Sequence, residues 1–209
     1  MFALSDGDLQ GNILGCADGP ASFNAEATLR GARVISSDPL YQFDTSAIRD
    51  RIDAAYKQII DQTRRNADEF VWETIRSVDE LGAVRMEAMA TFLADFESGK
   101  RDGRYIEAEL PVQPFSDGTF DIAVCSHFLF LYTDHLTQSF HELAITELCR
   151  VAREVRLFPL LALGGRLSSH VGPVSDSLRN RGLSVTIETV PYEFRRGGNQ
   201  MMRVRAAAA

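Results

Sequence analysis

Three groups of residues have types and spacing that could do chemistry. The first is Gly15-Cys16-Ala17-Asp18-Gly19-Pro20-Ala21-Ser22-Phe23, a run of small residues between a short apolar stretch and an amphipathic one. Small side chains let a backbone approach a ligand closely, and a helix opening there favours a negative group at its N-terminus. The second is Asp38, nineteen residues beyond Gly19, the span of one helix plus one strand. A carboxylate so placed can accept both hydroxyls of a ribose, as in dinucleotide-binding folds. An ordinary tight turn and a solvated aspartate before Pro39 would give the same residues; the joint signal is better than either part. The third is Ser126-His127, just after an apolar run. A histidine titrates near neutrality and suits a general base, while packing at a strand turn is its plainer role. Tyr41 and Tyr132 are candidates for lining a pocket or for half-buried packing.

These residues need elements to position them. Asn12-Ile13-Leu14-Gly15-Cys16 reads as a buried strand ending in turn chemistry at Asp18-Gly19-Pro20. Residues 21–30 follow as a helix that tolerates Pro20 at its start and stops at Gly31, and Arg33-Val34-Ile35-Ser36-Ser37 is the second strand. From 42 to 102 the pattern turns helical: Ile48, Ile52, Tyr56 and Ile59, and later Leu81, Val84, Met89, Phe92 and Phe96, recur at three-to-four spacing. Breaks are expected near Asn66-Ala67-Asp68 and Ser77-Val78-Asp79. This is far longer than an ordinary crossover helix, so it reads as a helical insertion. Strands are expected at 104–110, 120–125, 155–163, 183–190 and 200–205, with helices at 136–153 and near 175–181. The alternation predicts an α/β, Rossmann-like, doubly wound and mostly parallel sheet with an antiparallel C-terminal strand and the helical insertion between strands two and three. Residues 1–209 are expected to form one domain.

Three motifs then resemble the class I S-adenosylmethionine-dependent methyltransferases. They are the passage from Gly19 through Gly31-Ala32-Arg33-Val34 to Asp38; Gln113-Pro114-Phe115-Ser116-Asp117-Gly118-Thr119-Phe120-Asp121, similar to that superfamily's entry into strand four; and Glu147-Leu148-Cys149-Arg150-Val151, similar to the end of its following helix. The resemblance covers roughly 12–40 and 104–205 and implies S-adenosylmethionine as cofactor. It places Gly15, Cys16, Ala17, Asp18 and Gly19 under the methionine part of the cofactor. Asp38 takes the ribose, with Pro39 and Leu40 beside the adenine. Glu109 falls near the adenine amino group, the Leu110 N–H faces the ring, and Ser126 and His127 face the transferred methyl. The superfamily's usual acid at the end of strand one falls on Gly15, and its first and third glycines on Ala17 and Ala21. Asp18 is expected to stand in for that acid. The usual Pro-Gly-Gly before strand five is replaced by Arg153-Glu154-Val155-Arg156-Leu157-Phe158-Pro159; Glu154 and Arg156 are expected to share a face and to pair with each other or with the preceding helix.

Composition sets the outer bounds. The 209 residues carry 22 basic and 29 acidic side chains, a formal charge of −7 that gives no general attraction to nucleic acid or anionic lipid. A small-molecule methyl acceptor is therefore expected, with neither nucleic acid nor membrane as partner. Cys16, Cys125 and Cys149 form no CxxC and leave an odd count, which suits thiols in a reducing cytoplasm; a Cys16–Cys125 redox pair is the less favoured reading. His135 and His141 beside Glu142 and Glu147 lack the HExxH spacing of a metal site. Residues 206–209, all alanine, read as a frayed tail. The helical segment is expected to act as a lid supplying acceptor contacts, with a packed crossover or a homodimer interface as its other role. Two further functions fit a glycine turn followed by an acid: an NAD(P)-dependent oxidoreductase, disfavoured for want of a Tyr-x-x-x-Lys pair, and a non-catalytic cofactor-binding regulator.

Overall fold

The computed structural model describes residues 1–206. Both faces of its central strands are apolar, so they need cover on each side. In β1 (Asn12–Cys16), Ile13 and Leu14 point to opposite faces and are both fully buried. In β4 (Phe120–Ser126), Ile122 and Val124 join Ile13, while Ala123 and Cys125 join Leu14. The two strands pair in parallel, Ile13 against Ile122 and Cys16 against Cys125. On its other side β1 pairs in parallel with β2 (Arg33–Ser37). With β3 at Tyr105–Ile106, the full order is β3-β2-β1-β4-β5-β7-β6, with β5 (Ala152–Phe158) antiparallel to β7 (Gln200–Ala206), which is also antiparallel to β6 (Leu183–Thr189). The chain therefore reverses direction across the sheet between β1 and β4, where a ligand crevice opens beyond the carboxyl ends of the strands. This is the Rossmann-like, mostly parallel sheet that the sequence predicts, with the antiparallel C-terminal strand seated between β5 and β6.

Helix α1 (Phe23–Leu29) covers one face. Helices α4 (Gln138–Val151) and α5 (Val171–Asn180) cover the other, meeting it through residues such as Ile145, Leu148, Val174 and Leu178. Two long helices occupy the segment between β2 and β3 (Tyr105–Ile106): α2 (Thr45–Arg65) and α3 (Val78–Arg101). Both begin on side-chain caps. The Asp44 carboxylate accepts from the Ala47 N–H at 2.8 Å, and the Ser77 hydroxyl accepts from the Glu80 N–H at 3.0 Å. The second half of α3 is core: Phe92 and Phe96 pack with Tyr41 and Tyr105 in an aromatic cluster at the β3 edge.

Several boundaries differ from those read in the sequence. The third strand is two residues long, because Tyr105 and Ile106 pair with Ser36 and Ser37 and the chain then leaves the sheet edge to border the crevice. The fifth strand begins at Ala152, directly out of α4, since Ala152 pairs with Phe120 where helical periodicity would have continued; it ends before Pro159, which has no N–H to give the ladder. Helix α5 starts four residues earlier than expected, with Pro173 tolerated in its first turn. Glu154 and Arg156 do pair, Arg156 Nε donating to Glu154 Oε1 at 2.5 Å, but their further partners are not on the preceding helix. Arg203 and Arg205 of β7 reach Glu154, and Arg156 is held by Asp8 and the carbonyls of Phe2 and Ala3. The last strand runs on to Ala206; the remaining alanines of the expected tail lie outside the described residues.

Candidate functional site

A cleft of about 1020 Å³ opens where β1 and β4 diverge. Its floor is the small-residue turn after β1. Ala17 and Gly19 both take positive φ (55° and 58°), the left-handed region that glycine reaches freely and that is strained at Ala17, which carries a β-carbon. Tyr41 props this turn from below, its hydroxyl donating to the Gly19 carbonyl at 2.9 Å, so Tyr41 is a fully buried strut and not a pocket wall. Asp38 holds the turn from the side. Its Oδ2 accepts from the Gly19 N–H at 2.8 Å and its Oδ1 from the Leu40 N–H at 2.7 Å, each oxygen keeping a lone pair for a further donor.

Gly15 does not border the cleft, and the reason lies three residues on. A Cβ on Gly15 would lie 1.9 Å from Asp18 Oδ2, so the Asp18 carboxylate fills the space that a side chain at residue 15 would take. Glycine at 15 is what allows Asp18 to turn inward, where it accepts from the Ser36 hydroxyl at 2.6 Å. Burial pushes the Asp18 carboxyl up to about 7, the Ser36 hydroxyl opposing and the Asp38 charge adding to the rise. Burial also raises Asp38, while its two backbone donors pull the other way.

Of the residues named from the sequence, Cys16, Ala17, Asp18, Gly19, Asp38, Pro39, Glu109, Leu110, Ser126 and His127 all border this one cleft. Leu40 does not: it faces a separate apolar cavity of about 200 Å³ between α2 and α3. The Gln113-Pro114-Phe115 passage is clamped by the motif at the end of α4. Glu147 accepts from the Gln113 N–H at 2.7 Å, and Arg150 donates to the carbonyls of Gln113 and Phe115. Their co-occurrence in the sequence thus has a mechanical basis, since the clamp anchors the chain just beyond Glu109 and Leu110.

His127 takes a positive φ of 54°, and its N–H donates to the Phe158 carbonyl at 2.8 Å, tying the end of β4 to the end of β5. Such a backbone in a β-carbon-bearing residue is strained and concentrates at working sites. Burial first, then the Arg85 charge and the chain's amino terminus, hold its imidazole below the usual histidine range, so it stands neutral at pH 7. Cys16 and Cys125, side by side in the sheet, are both free. Burial pushes the Cys16 thiol up to about 12 and Cys125 well above its ordinary value; neither has the thiolate character of a redox pair. His141 is engaged by the carbonyls of Thr137 and Leu129 inside α4's packing.

The opposite wall and roof were not legible as site residues. Leu81, Val84, Arg85, Ala88 and Met89 of α3 face the cleft, and Phe70 and Ile75 of the connector before α3 overhang it. That connector is strapped to the loop between β6 and β7. The Val71 N–H donates to the Phe194 carbonyl at 2.7 Å, the Arg196 N–H to the Glu69 carbonyl at 2.9 Å, Arg195 pairs with the Glu69 carboxylate, and Phe70, Trp72 and Phe194 pack in tilted and edge-on contacts. The aromatic residues at 70, 72 and 194 were the available signal, though nothing in the sequence says that they meet.

Comparison with known proteins now bears on this arrangement. No family model matches the chain. The uncharacterized protein MJ0045 of Methanocaldococcus jannaschii is 32% identical over 209 residues, covering 98% of this chain and 90% of that protein. This chain belongs to the MJ0045 family. Among solved structures, a magnesium protoporphyrin IX methyltransferase of Synechocystis PCC 6803, crystallised with S-adenosylmethionine, superposes with a TM-score of 0.51 at 12% identity, over 97% of this chain and 73% of that one. At that identity the likeness speaks for the fold, and the fold is that of the class I methyltransferases. This chain carries the class I sheet order, with the Asp18 carboxylate filling the space beside Gly15 in the turn after β1.

Proposed function

We propose that this protein transfers a methyl group from S-adenosylmethionine to a small-molecule acceptor. One observation carries the reading: at the reversal point of a class I sheet, the β1 turn, the acid ending β2, Glu109 and the Ser126–His127 strand end converge on a single cleft. The residues fit the cofactor chemically. A turn with positive φ at Ala17 and Gly19 admits close approach, a buried carboxyl at Asp18 suits an ammonium group, and Asp38 keeps lone pairs for two hydroxyls. The cofactor, when bound, supplies an activated methyl on a sulfonium. The chain's part is to hold cofactor and acceptor in line, to exclude water beneath the 66–77 connector and its strap, and to offer the neutral imidazole of His127 as an acceptor for the nucleophile's proton. In this reading α3 and the connector act as the lid over the acceptor. The acidic balance favours a small acceptor over nucleic acid, and three free thiols, two of them adjacent and unjoined, favour a reducing cytoplasm. No described helix is long and apolar enough to cross a membrane.

Calorimetric titration with S-adenosylmethionine and with NAD is the first test: binding of the former alone supports the reading, and binding of NAD alone replaces it with an oxidoreductase. Release of labelled methyl over a metabolite panel then separates an enzyme from a binding protein. His127→Ala is expected to lower turnover on an acceptor that must lose a proton, by roughly 10²-fold or more. Undiminished turnover would leave His127 with its packing role only.

A further inference from the structure

The cleft has two ends of opposite character. Asp18, Asp38 and Glu109 stand at the β1–β2–β3 end. Beyond His127 the walls are mostly apolar, including Phe128, Leu131, Phe140 and Phe194; no carboxylate lines them, and the Arg195 that does is paired with Glu69 outside the cleft. Large apolar side chains that stay wet gather here: Val84 is 45% exposed, Tyr132 39%, Leu163 48% and Tyr192 37%, all bordering the cleft. Exposed apolar surface concentrated in one concavity marks a binding wall. Into this wall α3 presents Arg85, a residue still open to solvent that makes no hydrogen bond or ion pair among the described residues. It borders the cleft together with His127 and Tyr192, and its charge pulls the titration of both downward. Arg85 also borders the apolar cavity between α2 and α3, so the cation sits at the junction of two apolar spaces.

We propose that Arg85 is the anchor for an anionic group, a carboxylate or phosphate, on an otherwise apolar acceptor. A planar guanidinium in an apolar setting offers paired donors to such an oxyanion, and the strength of that contact grows as water leaves. Arg85 here sets specificity and position and is not a proton-transfer group. The methyl-transfer reading is needed only to call this anion the acceptor; the anion site itself stands on the cleft.

The test uses naphthalene-2-carboxylate and its neutral isostere naphthalene-2-carboxamide, titrated into the full chain with and without saturating S-adenosylhomocysteine. The carboxylate is expected to bind at least tenfold more tightly than the amide. Arg85→Gln is expected to abolish that preference and Arg85→Lys to keep part of it, with affinity for S-adenosylhomocysteine within twofold of wild type in both. Equal affinity for the two probes, no binding of either, or a preference that survives in Arg85→Gln overturns the proposal. Failure of S-adenosylhomocysteine to bind the wild type strikes the cofactor reading alone, because the cofactor-free titrations still decide Arg85.

Discussion

Asp18 is the residue on which the local chemistry turns. With its carboxyl raised to about 7, it is half protonated in the free protein at neutral pH. A bound ammonium group favours the carboxylate and lowers that value, so ligand binding at pH 7 should release roughly half a proton. Affinity for S-adenosylmethionine should therefore rise between pH 6 and pH 8. Calorimetry in buffers of different ionisation enthalpy reads the released proton directly, and Asp18→Asn should abolish it and weaken binding by about tenfold or more. The same shift has a stability consequence of opposite sense. A carboxyl whose folded value lies above its unfolded one contributes stability at low pH, which is lost as pH rises through about 7. Above pH 7, Asp18→Asn should thus melt higher than wild type; a variant that binds well and melts lower would contradict both statements. The sequence named Asp18 as a substitute for the missing acid, and the residue types made that legible. Why the substitution works was not legible, because a carboxylate three residues on reaches the vacant side of Gly15 only through the left-handed backbone at Ala17, which no spacing rule announces.

Among the elements, α3 has two duties along its length. Its first half faces the cleft through Leu81, Val84 and Arg85, while its second half completes the β3 edge with Phe92 and Phe96, both fully buried. Read as periodicity alone, the two halves are one amphipathic stripe, which explains why the whole of 42–102 reads as an insertion. Helices α2 and α3 were visible in the sequence because three-to-four spacing is a local signal. The strap between the 66–77 connector and the β6–β7 loop was not, since its partners lie more than a hundred residues apart. The division of α3 predicts unequal costs. Phe92→Ala should destabilise the whole protein by about 3–5 kcal/mol in denaturant unfolding, as a cavity in a packed aromatic cluster does. Val84→Ala, on the wet half, should cost under about 1 kcal/mol and act instead on the affinity of the apolar probe. Equal costs at both positions would mean that the first half is packed core as well.

At the scale of the whole molecule, the sheet order was foreseeable from the alternation of elements and three ordered motifs, whereas the cleft's apolar half is built by long-range packing. That packing ties the parts into one unit. Tyr41 touches the Gly19 turn through its hydroxyl and the α3 aromatics through its ring, so the floor of the cleft and its helical wall share a buried residue. A ligand that binds only the folded state stabilises by roughly 2.7 kcal/mol at a hundredfold excess over its dissociation constant. For a chain of this length that corresponds to a shift of roughly 5–10 °C in melting temperature. Scanning calorimetry should then show a single transition, moved upward as a whole by S-adenosylhomocysteine and left in place by NAD. Two transitions, with the one assigned to α2 and α3 indifferent to the ligand, would show that the helical wall melts apart from the cofactor floor. In that case the shared tyrosine would not couple the two halves of the cleft, and closure over an acceptor would have to be independent of cofactor binding.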